Sequence, residues 1–104
     1  AKQMVYTARN IKADEALRIG LVNAVYPLAE LYAAAEKLAS QIAANAPIAV
    51  RAAKKGINEG LDLPMDEAVV VEEKAFGSCF ETADQQEGMG AFLEKRKHEP
   101  FTNK

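Results

Sequence analysis

From Leu28 onward the apolar residues fall at helical spacing, and proline or glycine cuts the first two runs before they can extend. Leu28, Leu31, Tyr32, Ala35, Leu38, Ala39 and Ile42 recur every three or four positions, with Glu30, Glu36, Lys37 and Gln41 elsewhere on the wheel. Asn45-Ala46-Pro47 breaks this run. Pro47 suits the first position of the next helix, where its missing N–H would have had no intrahelical partner. That helix is expected to turn Ala49, Val50, Ala53 and Ile57 inward and Arg51, Lys54 and Lys55 outward, ending at Gly60. Pro64 starts another, with Asp66 and Glu67 well placed against the positive end of its dipole. Its apolar stripe is Met65, Ala68, Val69, Phe76, Cys79 and Phe80, and Val69-Val70-Val71 widens the stripe enough to predict packing on two sides. Thr82-Ala83-Asp84-Gln85 has the form of a capping box, Thr82 bonding the backbone ahead and Gln85 reaching back. It opens a final helix from about Ala83 to Lys97, acidic in front and basic behind, with Met89, Phe92 and Leu93 as its apolar residues.

The first quarter of the chain is less regular. Met4, Val5 and Tyr6 lie in a segment that reads as the end of a helix, and Asp14 to Ile19 as a short helix stopped by Gly20. Leu21 to Tyr26 alternates weakly before Pro27, which predicts a short strand or an extended linker. The fold class that follows is mostly α, with four to five helices and at most one short strand. A single domain of 104 residues is expected to bury roughly 60–70% of the surface its extended chain exposes. Only the last few residues read as disordered.

Composition removes several function classes. The net charge of −2 lacks the basic excess of a nucleic-acid binder. The one basic cluster, Lys95-Arg96-Lys97, falls at the end of the final helix, where cations complement the dipole. No apolar run approaches the ~18 residues of a membrane span. Cys79 is the only cysteine, so no internal disulfide forms; the count fits a reducing, cytoplasmic setting, and a thiol between Phe76 and Phe80 reads as packed rather than nucleophilic. His98 is the only histidine and sits in a polar tail, which excludes a multi-histidine metal site. Carboxylate pairs occur at Asp14-Glu15, Asp66-Glu67, Glu72-Glu73 and Glu81 with Asp84, each at a helix front or on a polar face, where capping and solvation explain them. The residues alone support no enzymatic activity.

Two stretches carry a resemblance that the pattern alone does not give. Tyr6-Thr7-Ala8-Arg9-Asn10-Ile11-Lys12-Ala13-Asp14-Glu15-Ala16-Leu17-Arg18-Ile19-Gly20-Leu21-Val22-Asn23 resembles the crotonase-family segment T-G-R-x-I-x-A-x-E-A-x-x-x-G-L-V-x. Phe80 to Arg96 is similar to the closing F-x-T-x-D-x-x-E-G-x-x-A-F-x-E-K-R of the enoyl-CoA hydratases in that family, and leans toward the bacterial 3-hydroxybutyryl-CoA dehydratase type. Asn45-Ala46-Pro47 followed by a lysine-bearing helix also fits, in the family's order. Two positions depart from the pattern. Ala8 stands where the family has glycine, so the turn must avoid positive φ or accept strain. In Lys97-His98-Glu99-Pro100-Phe101 the Pro and Phe fall one residue later than usual.

The resemblance implies a specific organisation. Residues 1–104 would be the carboxyl-terminal helical region of the crotonase β/α-spiral fold, with 1–26 the tail of the spiral core and 27–104 a helical cover and oligomerisation region. Such enzymes reversibly hydrate short-chain 2-enoyl-CoA thioesters, using two glutamates on one water and two backbone amides on the thioester oxygen. Those groups would lie before Ala1, so no catalytic residue is expected here and the chain alone is expected to be inactive. Phe76, Phe92 and Lys95 match positions near the CoA moiety, partly across a trimer interface: Lys95 offers a cation for a phosphate and the rings offer apolar walls. Core burial of Phe76 and Phe92 competes with that role. The implied partners are an acyl-CoA substrate and further copies of the chain, as a trimer or dimer of trimers, with no metal and no cofactor beyond the CoA that the substrate carries. Another crotonase-family reaction (isomerisation, hydrolysis or decarboxylation) and a free-standing helical interaction module remain open alternatives.

Overall fold

The computed structural model describes residues 1–104 and contains six α-helices and no strand: α1 (Lys2–Thr7), α2 (Ala13–Arg18), α3 (Leu28–Ala43), α4 (Pro47–Gly60), α5 (Met65–Cys79) and α6 (Ala83–Leu93). Leu21 to Tyr26, expected as strand or linker, is linker, with no partner strand for its alternation to face. The chain divides into two compact units, Ala1–Leu38 and Ala39–Lys104. No helix is long and apolar enough to cross a membrane.

In the first unit, α1 ends on Ala8 at φ 48°, ψ 30°. The glycine missing from this position is thus replaced by a residue held in the left-handed region, and the strain is accepted rather than avoided. Arg9 and Glu15 pair at 2.6 Å, tying the turn to α2. α2 closes as expected on Gly20, at φ 74°: Gly20 N–H donates to Leu17 C=O (3.1 Å) and Leu21 N–H to Ala16 C=O (2.9 Å). These two bonds define the Schellman ending, in which glycine supplies the left-handed residue. Ala16 is the one buried residue of α2.

In the second unit α4 and α5 form a helical hairpin. Pro47 stands at its amino end as predicted. The seam is made of small residues. A Cβ added to Gly60 would meet the Cβ of Ala68 at 3.4 Å, and one added to Gly56 would meet that of Ala75 at 3.6 Å. Without side chains at 56 and 60 the two backbones approach closely. Thr82 then caps α6: its Oγ1 accepts from Gln85 N–H (3.1 Å) and donates to Cys79 C=O (2.7 Å). Only this half of the predicted box forms, because Thr82 N–H is taken by Cys79 C=O at 3.1 Å.

Burial departs most from expectation. The accessible surface is 8922 Å², against about 5,700 Å² for a compact 11.3-kDa monomer. Well under the expected 60–70% of the extended-chain surface is therefore removed from water. Ala16 and Ala91 are the only buried apolar residues. The periodic faces of α3 and α4 exist, yet Leu28, Tyr32, Leu38 and Ile57 on them are exposed. Periodicity reports which residues share a face; it does not supply what covers that face.

The tail also differs from expectation. Residues 101–104 are tied down rather than disordered. Asp84, 3% exposed, accepts from Thr102 N–H (2.6 Å), Thr102 Oγ1 (3.2 Å) and Asn103 N–H (2.8 Å), while its own N–H donates to Lys104 C=O (3.3 Å). Arg51 of α4 adds a bond to Asn103 Oδ1 at 2.6 Å. Phe101 packs over Gly88, where a Cβ would come within 3.5 Å of its ring, and His98 stacks on Phe101 with centroids 4.3 Å apart.

Candidate functional site

The carboxyl end of α6 gathers two of the three sequence-predicted contact residues. The helix stops at Leu93, four residues before the Lys97 expected from charge pattern. Lys95 N–H donates to Phe92 C=O (3.2 Å) and Arg96 N–H to Ala91 C=O (3.0 Å), which is again the Schellman pair of bonds. The residue in the left-handed position is now Lys95, at φ 54°. A side chain there costs about 1–2 kcal/mol relative to the ordinary helical region. The turn exposes Lys95, which enters none of the chain's ion pairs, and leaves Phe92 77% exposed one turn behind it.

Arg96 does not point away as a dipole-complementing surface cation. Its Nη1 and Nη2 grip both oxygens of Glu87 (2.6 and 3.0 Å), and its Nε donates to Glu94 Oε2 (2.6 Å). Glu87 Oε1 also accepts from Glu99 N–H at 2.8 Å. The Arg96 hydrogen bonds, then the Glu99 amide, pull the Glu87 carboxyl down to about 2, and Glu87 and Glu94 push the Arg96 guanidinium up. Bidentate geometry of this kind fixes orientation as well as charge. Gly90 lies beneath the guanidinium, where an added Cβ would stand 3.8 Å from Nη2.

Phe76 lies elsewhere. It is 66% exposed, stacks edge-on against Phe80 at 5.2 Å, and lines an open apolar groove of about 700 Å³ with Ile57, Met65, Val69, Met89 and Phe101. Phe92 and Lys95 do not line that groove. Both the Phe76 and Phe92 rings are open to solvent in this chain. Cys79 is half-buried with its Sγ 3.4 Å from Ala75 C=O, a packed thiol as expected.

The carboxylates with resolved shifts are engaged with the chain's own backbone. Burial raises the pKa of Asp84, but the Thr102 and Asn103 amides and the Thr102 hydroxyl outweigh it, so the net shift is downward. A carboxylate held below its ordinary range and filled with donors is a poor general base at neutral pH. No three His, Cys, Asp or Glu side chains are grouped to hold a metal ion.

Sequence reasoning missed the roles of Glu87, Arg96 and Asp84. Glu87 and Arg96 are nine residues apart, and only a helix that ends between them lets them meet; the i,i+4 rules that make charge pairs legible do not apply. For Asp84 the one available signal is an acidic residue in the first turn of the helix, which reads equally well as a dipole partner.

Known proteins share this architecture. The chain matches the family model for enoyl-CoA hydratase/isomerase over residues 1–104. It is 53% identical over 104 residues to a short-chain-enoyl-CoA hydratase of Clostridium acetobutylicum, covering 100% of this chain and 40% of that protein. It is also 53% identical over 97 residues to a crotonyl-CoA hydratase of Syntrophomonas wolfei, covering 93% of this chain and 37% of that one. A crystal structure of an enoyl-CoA hydratase from Bacillus anthracis superposes with a TM-score of 0.91 at 38% identity, over 99% of this chain and 40% of the other. The chain therefore spans about two-fifths of the length of these relatives. A whole-length family match, two relatives at over half identity and a shared helical architecture agree: the chain belongs to the enoyl-CoA hydratase/isomerase family.

Proposed function

We propose that the chain is the carboxyl-terminal helical part of a short-chain enoyl-CoA hydratase, covering the site and contacting the CoA portion of the substrate. The observation that carries this reading is the 53% identity, over every residue, to a protein of that activity. Lys95, exposed and without an ion-pair partner, suits a phosphate of CoA, and Phe92 one turn away suits an apolar or aromatic portion of it. Phe76, in its separate groove, is a third contact in this reading. Proton transfer to and from water belongs to residues outside this chain, a view supported by Asp84 and Glu87 being engaged with their own backbone and held below the ordinary carboxylate range. The uncovered faces of α3, α4 and α5 support homo-oligomerisation and docking of further polypeptide, since apolar patches of this extent mark association surfaces. A cytoplasmic location completes the reading.

The experiment is a pair of assays. The purified 104-residue chain should not hydrate crotonyl-CoA, followed by loss of the enoyl-thioester absorbance. In the hydratase that contains it, Lys95→Ala should raise KM for crotonyl-CoA while leaving kcat within about twofold. Turnover by the 104 residues alone would defeat the assignment. The family model also covers isomerases, so double-bond migration in a 3-enoyl-CoA is the second reaction to assay.

A further inference from the structure

Lys95 occupies the one position of its turn where a side chain is strained, and its neighbour Arg96 is the most heavily bonded side chain nearby. The turn between α6 and the tail is gripped from both directions. Arg96 N–H closes the turn onto Ala91 C=O at 3.0 Å, while the guanidinium reaches back across Gly90 to Glu87 in mid-helix and sideways to Glu94. Lys95 is therefore flanked by two residues, 94 and 96, whose side chains are bonded to each other. A left-handed non-glycine residue persists only when its surroundings over-determine it, and this bonding does so.

We propose that Arg96, locked by Glu87 and Glu94, is a positioning residue: it holds the Lys95 turn in its left-handed form so that the Lys95 ammonium is aimed at a phosphate group of the substrate's CoA. The inference rests on the assignment of Lys95 to CoA made above and adds to it a mechanism of aim. Arg96 itself contributes no phosphate contact, because Glu87 and Glu94 occupy three of its donors and Lys97 C=O accepts from Nη1 at 3.3 Å. The lowered carboxyl of Glu87 keeps it charged, and the grip intact, over the whole neutral range.

The test uses the hydratase that contains this chain, with crotonyl-CoA and with crotonyl-pantetheine, which carries the thioester but no phosphate. Arg96→Ala should raise KM for crotonyl-CoA roughly fivefold, with kcat nearly unchanged and KM for crotonyl-pantetheine unmoved. Arg96→Lys should do almost as much harm, since it keeps the charge and loses the fork. Glu87→Gln, which keeps the shape and weakens the grip, should fall between. Lys95→Ala combined with Arg96→Ala should be no worse than Lys95→Ala alone, because one residue acts through the other. Rescue by Arg96→Lys, additive effects in the double variant, or an equal rise for crotonyl-pantetheine would each overturn the proposal. A silent Arg96→Ala beside an impaired Lys95→Ala sinks the positioning role only. A silent Lys95→Ala removes the phosphate contact itself and the inference with it.

Discussion

Gly20 and Lys95 hold the same backbone position in two helix-ending turns of the same design. Each is the left-handed residue, at φ 74° and 54°, of a turn whose two closing bonds run to equivalent carbonyls. One turn uses the residue that carries no strain there, and the other uses a lysine. The lysine turn also has an arginine fork across it, and the glycine turn has none.

From this comparison, Lys95→Gly placed in the hydratase proposed to contain this chain should stabilise it by about 1 kcal/mol while weakening the proposed contact with CoA. Thermal unfolding and KM for crotonyl-CoA, measured on one preparation, should rise together. A variant less stable than the parent would show that the turn carries no strain.

Ala8 provides the matched control. It also lies in the left-handed region, at φ 48°, but far along the chain from Lys95. Ala8→Gly should stabilise by a similar ~1 kcal/mol, offset in part by the extra freedom of glycine in the unfolded chain. It should leave KM untouched.

At Gly88 the expected outcome depends on size. A Cβ there meets Phe101 at 3.5 and 3.6 Å, which is ordinary contact. Gly88→Ala should be neutral or stabilising by up to ~1 kcal/mol through helix propensity. Gly88→Leu has no space beneath the ring and should release Phe101 and the tail. Limited proteolysis at residues 98–104 would report that release, and intact tails in Gly88→Leu would refute the packing.

The acidic clasps predict a pH dependence with a definite sign. Glu87 titrates at about 2 when folded, against 4.5 for a free glutamate, so its contribution is fully present above 4.5 and is lost as pH falls toward 2. Asp84 is shifted in the same direction, so it adds to the loss on the acid side and contributes no change at neutral pH. Unfolding temperature measured across pH 2–5 should fall less steeply in Glu87→Gln than in the parent.

Much of the architecture was legible in the sequence. Proline at 27, 47 and 64 marks the starts of α3, α4 and α5, and glycine at 20 and 60 the ends of α2 and α4, for stated stereochemical reasons. Thr82 reads as a cap and is one. The alternation from Leu21 to Tyr26 was too short to distinguish strand from linker, because a strand is made by its partner as much as by itself. Burial could not be read either: the stripe of α3 is as regular as that of a core helix, yet Leu28 and Tyr32 are exposed. The site divides along the same line. Lys95 and Phe92 are singled out by resemblance alone, whereas the Glu87–Arg96 grip depends on a helix ending at Leu93 instead of Lys97, and charge pattern does not reveal that stop.

The Asp84 clasp bears on biosynthesis. The chain is made in order, and the carboxylate at the front of α6 finds its donors only in Thr102 and Asn103, eighteen and nineteen residues later. Until those residues leave the ribosome, the Asp84 carboxylate has only water and the positive end of its helix to meet it. Thr102 and Asn103 therefore decide when the preceding helix can be latched, and a product of translation interrupted before them would carry that helix unlatched.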